Sequence, residues 1–191
     1  MKRQTEFLEK LIGLIEAAGI PYAVCGSLSS SLYGQPRATN DADIIIAPTP
    51  DQLDKLLKSL KTGYYISNEA AIEAMKNRLM FNVIDNKLGW KADLIFRKDS
   101  PHQLSEFNRR IRAKLMGIDL WILSPEDVIL SKLNWAKESG SDLQFRDVFG
   151  VVKSQWSNLD WDYLSHWAKE LGVEKNLESV KKEVRKLRGE R

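Results

Sequence analysis

Apolar residues recur at helical spacing near both ends of the chain and at strand spacing between them. Leu8, Leu11, Ile12 and Ile15 form one stripe over residues 2–18, closed by Gly19 and Pro21. Leu53, Leu56, Leu57 and Leu60 form a second over 51–61, and residues 69–78 read as a shorter helix. The runs Tyr22–Cys25 and Asp41–Ile46 read as strands. Leu79–Ile84 and Trp90–Phe96 are joined by the turn Asp85-Asn86-Lys87 and predict a hairpin. Residues 109–115 and 119–123, around Met116-Gly117, predict another. From Ser124 the pattern is helical throughout. Ser124-Pro125-Glu126-Asp127 supplies an N-cap, a proline at the first helical position and acids in the first turn. That helix carries Val128, Leu130, Leu133 and Trp135, with Lys132 among them. Further helices are expected over 142–155, 159–171 and from Val173 to about Leu187.

Composition narrows the class without naming a function. The chain has 191 residues, 43% hydrophobic and 29% charged, enough for a real core. A net charge of +3 permits a polyanionic partner without requiring one. Cys25 is the only cysteine, so no internal disulfide can form, and its apolar strand suits a small buried hydrophobe. No apolar stretch approaches the ~20 residues of a membrane span, and no signal-peptide core opens the sequence. A reducing, cytoplasmic setting is the expectation.

Two adjoining stretches carry candidate chemistry. Tyr22–Cys25 stops at Gly26-Ser27 and gives way to a helical pattern, Leu28–Tyr33: a strand, a tight turn and a helix N-terminus, whose unpaired N–H groups favour phosphate. Then Asp41 and Asp43, two apart on a strand, share a face. Like charges so close call for a cation, and Mg²⁺ takes one or two carboxylates plus substrate phosphates. The bland alternative is a Gly-Ser turn beside two solvated carboxylates. Asp93 shares its face with Lys91 and Ile95 and is flanked by Leu94-Ile95-Phe96; burying it is costly unless it is paired or binds a cation. The sequence contains no Gly-x-x-x-x-Gly-Lys-Ser/Thr loop and no Gly-x-Gly-x-x-Gly, and His102 and His166 are isolated.

Gly26-Ser27, thirteen residues, then Asp41-x-Asp43 resembles the signature of the DNA polymerase β-like nucleotidyltransferase superfamily. Arg37, Thr39, Asp41 and Asp43 match the Arg-x-Thr-x-Asp-x-Asp run of its small bacterial members. The likeness covers residues 20–96 well and 119–152 more loosely. It implies an α+β nucleotidyltransferase fold: a mixed sheet with helices on one side over residues 1–123, and a C-terminal helical region, 124–191, packing on it. It also implies transfer of an NMP from an NTP, such as ATP, to a hydroxyl, releasing pyrophosphate. Asp41, Asp43 and Asp93 would be the catalytic, metal-binding acids for two Mg²⁺ ions. Gly26 and Ser27 would hold the β- and γ-phosphates, with Arg37 and Thr39 in support. The run from Pro125-Glu126-Asp127 to Lys132-Leu133, with Asp147 beyond, resembles toxin-like members, making Lys132 a phosphate candidate against a surface lysine. Asp147 then fixes Arg146 or Lys132 rather than a metal.

The acceptor is open on this reading: an RNA 3′ end such as that of tRNA, a protein or a small molecule. Toxin-like relatives share the Arg-x-Thr-x-Asp-x-Asp run, but Leu28-Ser29-Ser30 departs from the Gly-Ser-x-Ala/Arg-x-Gly form of minimal antitoxins. The alternative from another class is a non-catalytic nucleotide- or RNA-binding module on the same fold. The alternative for Asp93 is a cross-strand salt bridge near Lys91. Arg110, Arg112 and Lys114 recur at period two and read as a solvated face before a phosphate guide, as does the basic end Lys181–Arg188.

Overall fold

The computed structural model describes residues 2–87 and 89–189. Contacts group the chain into two compact units, one running through Cys25 and resuming over Thr39–Ile122, the other made of Gly26–Ala38 and the chain from Leu123 onward. Residues 26–38 thus cluster with the C-terminal helices, so the division falls differently from the expected 1–123 and 124–191.

The first unit holds α1 (Lys2–Ala17), β1 (Tyr22–Cys25) and, after the excursion, β2 (Asp41–Ile46), α3 (Pro50–Leu60), β3 (Tyr64–Tyr65) and α4 (Asn68–Asn77). β4 (Met80–Asp85), β5 (Lys91–Phe96), α5 (Pro101–Asn108), β6 (Ile111–Leu115) and β7 (Ile118–Ile122) complete it. The strands form one mixed sheet in the order β3-β4-β5-β2-β1-β7-β6. β2 runs parallel to β5 and antiparallel to β1. One sheet face is apolar: Ala42, Ile44 and Ile46 of β2, Ala92, Leu94 and Phe96 of β5, and Phe81 and Val83 of β4 are all buried. Removing that much apolar surface from water is the main drive for this unit. The predicted stripes on α1 and α3 are buried as well, and α1 packs on α3 and β7.

Two elements were not expected. α5 starts on the same signal as the helix at Ser124: Ser100 caps it, accepting from the Gln103 N–H, and Pro101 follows. β3 is two residues long and has no pattern to read. The Met116-Gly117 turn joins β6 and β7 with both φ angles positive, 52° and 87°, which suits a tight hairpin. Arg110 lies just before β6 and stacks on Phe107 at 4.2 Å and Trp121 at 5.1 Å, so only Arg112 and Lys114 remain of the expected basic row. Arg112 pairs with Glu16 and Lys114 with Asp119.

The second unit holds α2 (Gly26–Tyr33), α6 (Pro125–Ser139), α7 (Asp142–Gln155), α8 (Trp161–Glu170) and α9 (Glu174–Arg188). At Gly34, just past α2, a Cβ would stand 2.8 Å from the Gly150 carbonyl carbon and the Val151 nitrogen, so only glycine admits this approach to α7. On α6 the expected Val128, Leu130 and Leu133 are buried, but the fourth expected position is not. Trp135 is 63% exposed, whereas Lys132 is buried beside Ile129, Leu133 and Ala136. No described helix is long and apolar enough to cross a membrane.

Candidate active site

The acids come together through strand register. Asp43 pairs with Asp93 across the parallel β2–β5 ladder, Asp93 with Asn82 across β5–β4, and Asp43 with Cys25 across β2–β1. One row therefore crosses four neighbouring strands. In the adjacent row Asp41 pairs with Lys91. Because residues two apart share a face, Asp41, Asp43, Lys91, Asp93 and Asn82 all project from the face opposite Ala42, Ile44, Ala92 and Leu94. The alternation fixes which face: shifting β2 by one residue would bury both aspartates.

Each carboxylate with a described bond is held by a neighbour. Thr39 donates its hydroxyl to Asp41 Oδ1 at 2.7 Å, tying the residue before the strand to the first acid. Asn82 donates its amide to Asp93 Oδ1, and Lys91 Nζ lies 3.1 Å from Asp93 Oδ2. Asp93 is only 8% exposed, so these two donors offset the cost of keeping its charge out of water. The bond to Asp93 raises the Lys91 pKa, and the charges of Asp93, Asp41 and Asp43 add to that effect. A lysine on this face thus reports a negative field from all three acids. The salt bridge weighed for Asp93 from sequence is present, though within β5 rather than between strands.

Among the described residues no group of three or more Asp, Glu, His or Cys side chains is gathered closely enough to cage a metal ion. The donor chemistry nevertheless fits a hard divalent cation: oxygen donors only, three carboxylates on one face with one ammonium among them.

The other predicted residues lie in the helical unit. α2 starts at Gly26 with φ +63°, a conformation that L side chains seldom adopt. Arg37 donates to Ser27 Oγ, and its Nε lies 3.2 Å from Asp147 Oδ1. Lys132 Nζ lies 2.8 Å from Asp147 Oδ2 and 2.9 Å from Gln144 Oε1. Ser30 Oγ donates to Asp147 Oδ2 at 3.3 Å and to the Ser27 carbonyl at 3.1 Å. Asp147 therefore fixes Lys132, as one expected alternative had it, and Arg37 in place of Arg146. One buried carboxylate is shared by two cations, which leaves this cluster with excess positive charge.

Sequence reading gave no role to Asn82, Ser30 or Gln144. Asn82 could have been found from the register of the 79–96 hairpin. Ser30 and Gln144 meet Asp147 and Lys132 only through tertiary packing of the helices, which no local pattern encodes.

No protein-family model matches the chain, and no curated protein is similar to it in sequence. Solved structures are similar in fold. An antigenic nucleotidyltransferase-like protein from Paracoccidioides brasiliensis matches with a TM-score of 0.58 at 15% identity, covering 92% of this chain and 90% of that one. The antibiotic-resistance factor ANT(2'')-Ia, solved in complex with adenylyl-2''-tobramycin, matches with a TM-score of 0.58 at 12% identity, over 88% of this chain and 97% of that one. The lincosamide antibiotic adenylyltransferase LnuA, solved with lincomycin bound, matches with a TM-score of 0.51 at 14% identity, over 75% and 93%. With its mixed sheet and its aspartates in register, the chain has the nucleotidyltransferase fold.

Proposed function

We propose that this protein is a Mg²⁺-dependent nucleotidyltransferase that moves an NMP from an NTP to an acceptor hydroxyl. The observation that carries the reading is the pairing of Asp43 with Asp93 on one sheet face, with Asp41 two residues away. Asp41 and Asp43 would hold the cation that accompanies the triphosphate, and Asp93 would complete a second, acceptor-side site. These carboxylates would hold Mg²⁺, which would supply positive charge to offset the negative charge developing on the phosphates.

The chain's own residues have distinct tasks. Gly26 and Ser27 would receive the β- and γ-phosphates through backbone N–H groups. Arg37 and Lys132, two cations sharing Asp147, supply the excess positive charge for an anionic ligand. Thr39 orients Asp41. Asp93 takes the proton from the acceptor hydroxyl as that oxygen bonds to the α-phosphorus and pyrophosphate departs. The single buried cysteine suits a reducing, cytoplasmic setting.

One solved neighbour is named a lincosamide antibiotic adenylyltransferase and another was solved with adenylyl-2''-tobramycin, which supports including small hydroxylated molecules among the acceptors. RNA 3′ ends and protein hydroxyls stay beside them. The Lys91–Asp93 ion pair favours one other reading, a nucleotide- or RNA-binding module without turnover. Pyrophosphate release with Mg²⁺ and each NTP decides between them, using aminoglycosides, lincosamides, total tRNA and total protein as acceptors. Release with one acceptor class supports the enzyme. Nucleotide binding without release for every acceptor supports the module.

A further inference from the structure

We infer that Lys91 is a tethered counter-ion that occupies Asp93 until a divalent cation displaces it, so that the acceptor-side cation binds in competition with the protein's own ammonium. The inference rests on the metal-binding reading above and adds a control element to it.

Three observations lead there. Lys91 lies two residues before Asp93 on the same face, its Nζ 3.1 Å from Oδ2, and its Cα pairs with that of Asp41. The ammonium thus stands among acids that would otherwise repel one another. The two partners also differ in freedom. The Lys91 side chain is 38% exposed and that of Asp93 only 11%. The ammonium, on its flexible four-carbon stem, has water to move into, while the carboxylate stays buried. Finally, Asn82 holds the other oxygen of Asp93 with a neutral amide, which fixes the carboxylate without neutralising it. When Lys91 leaves, a positioned and charged ligand remains.

Mn²⁺ titrations followed by the electron paramagnetic resonance of the free ion test this without any turnover. Lys91→Met keeps the apolar stem and removes the charge. It should bind Mn²⁺ roughly three- to tenfold more tightly than wild type, the scale of a half-exposed ion pair plus like-charge repulsion. The gain should be clearly smaller in the Asp93→Asn background, because Lys91 competes mainly for that carboxylate. Without metal Lys91→Met should melt below wild type, and saturating Mn²⁺ should close the gap. Lys91→Arg serves if Lys91→Met does not fold. Its planar fork can hold Asp93 through two bonds, so Mn²⁺ should bind more weakly than to wild type. Mn²⁺ binding that is abolished by Asp43→Asn yet indifferent to Lys91 overturns this inference and leaves the metal site standing. Equal tightening with and without Asp93 overturns it as well. No Mn²⁺ binding to wild type, with or without ATP, overturns the metal site itself and the inference with it.

Discussion

On the sheet, three carboxylates share a face with one ammonium; among the helices, one carboxylate is shared by a guanidinium and an ammonium. The two regions solve opposite problems. The helical cluster is closed within the protein: Lys132 and Asp147 have side chains 6% and 7% exposed and satisfy each other, with Arg37, Ser30 and Gln144 around them. The acid row gathers like charges on one sheet face, with Asp41 held by Thr39 and Asp93 by Lys91 and Asn82. One joins opposite charges in a buried cluster, while the other sets like charges side by side.

The contrast breaks most easily in stability. Asp147→Asn leaves a buried ammonium without its counter-charge and should cost about 3–5 kcal/mol in denaturant unfolding. Asp43→Asn removes one of several like charges and should stay within about 1 kcal/mol of wild type. Similar losses for both would mean that the acid row is also a structural ion network.

Ligand stabilisation sharpens the same contrast. With Mg²⁺ and ATP together at a hundredfold their joint dissociation constant, unfolding should require ~2.7 kcal/mol more than without them. Mg²⁺ alone and ATP alone should give melting shifts whose sum is smaller. A purely additive result would separate the acids from the phosphate residues.

At the turn, Gly26→Val forces a β-branched residue to φ +63° and should cost ~1–2 kcal/mol per molecule while removing NTP affinity. Ser27→Ala should weaken NTP by only ~1 kcal/mol, one side-chain hydrogen bond. Equal effects of the two on affinity in folded protein would count against a backbone phosphate cradle. The smallest effect is expected at Thr39→Val, which removes the 2.7 Å bond to Asp41 and should cost ~0.5–1.5 kcal/mol in stability. A titration of Mg²⁺·ATP on this variant tests whether that bond also orients the acid.

Much of this was legible because it depends on short-range rules. Period two put Asp41 and Asp43 on one face and Ala42 and Ile44 on the other, and the burial follows that pattern. The helix at Ser124 begins on a capping signal that the sequence states outright; the same kind of signal at Thr49-Pro50 and at Ser100-Pro101 was passed over. Lys132 shows the limit. Its helical spacing beside Leu133 gave no sign that it would be buried and Trp135 exposed, because the deciding partner, Asp147, is on another helix. The Asp43–Asp93 pairing lies between these cases. Both strands could be read locally, but their parallel register is set by the whole sheet.

On the proposed mechanism, Asp93 serves the chemistry while Asp41 and Asp43 serve the nucleotide. Calorimetric titration of Mg²⁺·NTP into wild type, Asp43→Asn and Asp93→Asn, with pyrophosphate release read on the same samples, tests it directly. Asp93→Asn keeps the side-chain volume and the bond from Asn82, so the strand should fold. The account predicts near wild-type nucleotide binding for Asp93→Asn with turnover lowered ~10²- to 10⁴-fold or more, and lost binding for Asp43→Asn. Unchanged turnover in Asp93→Asn, or nucleotide binding lost equally in both variants, would contradict it.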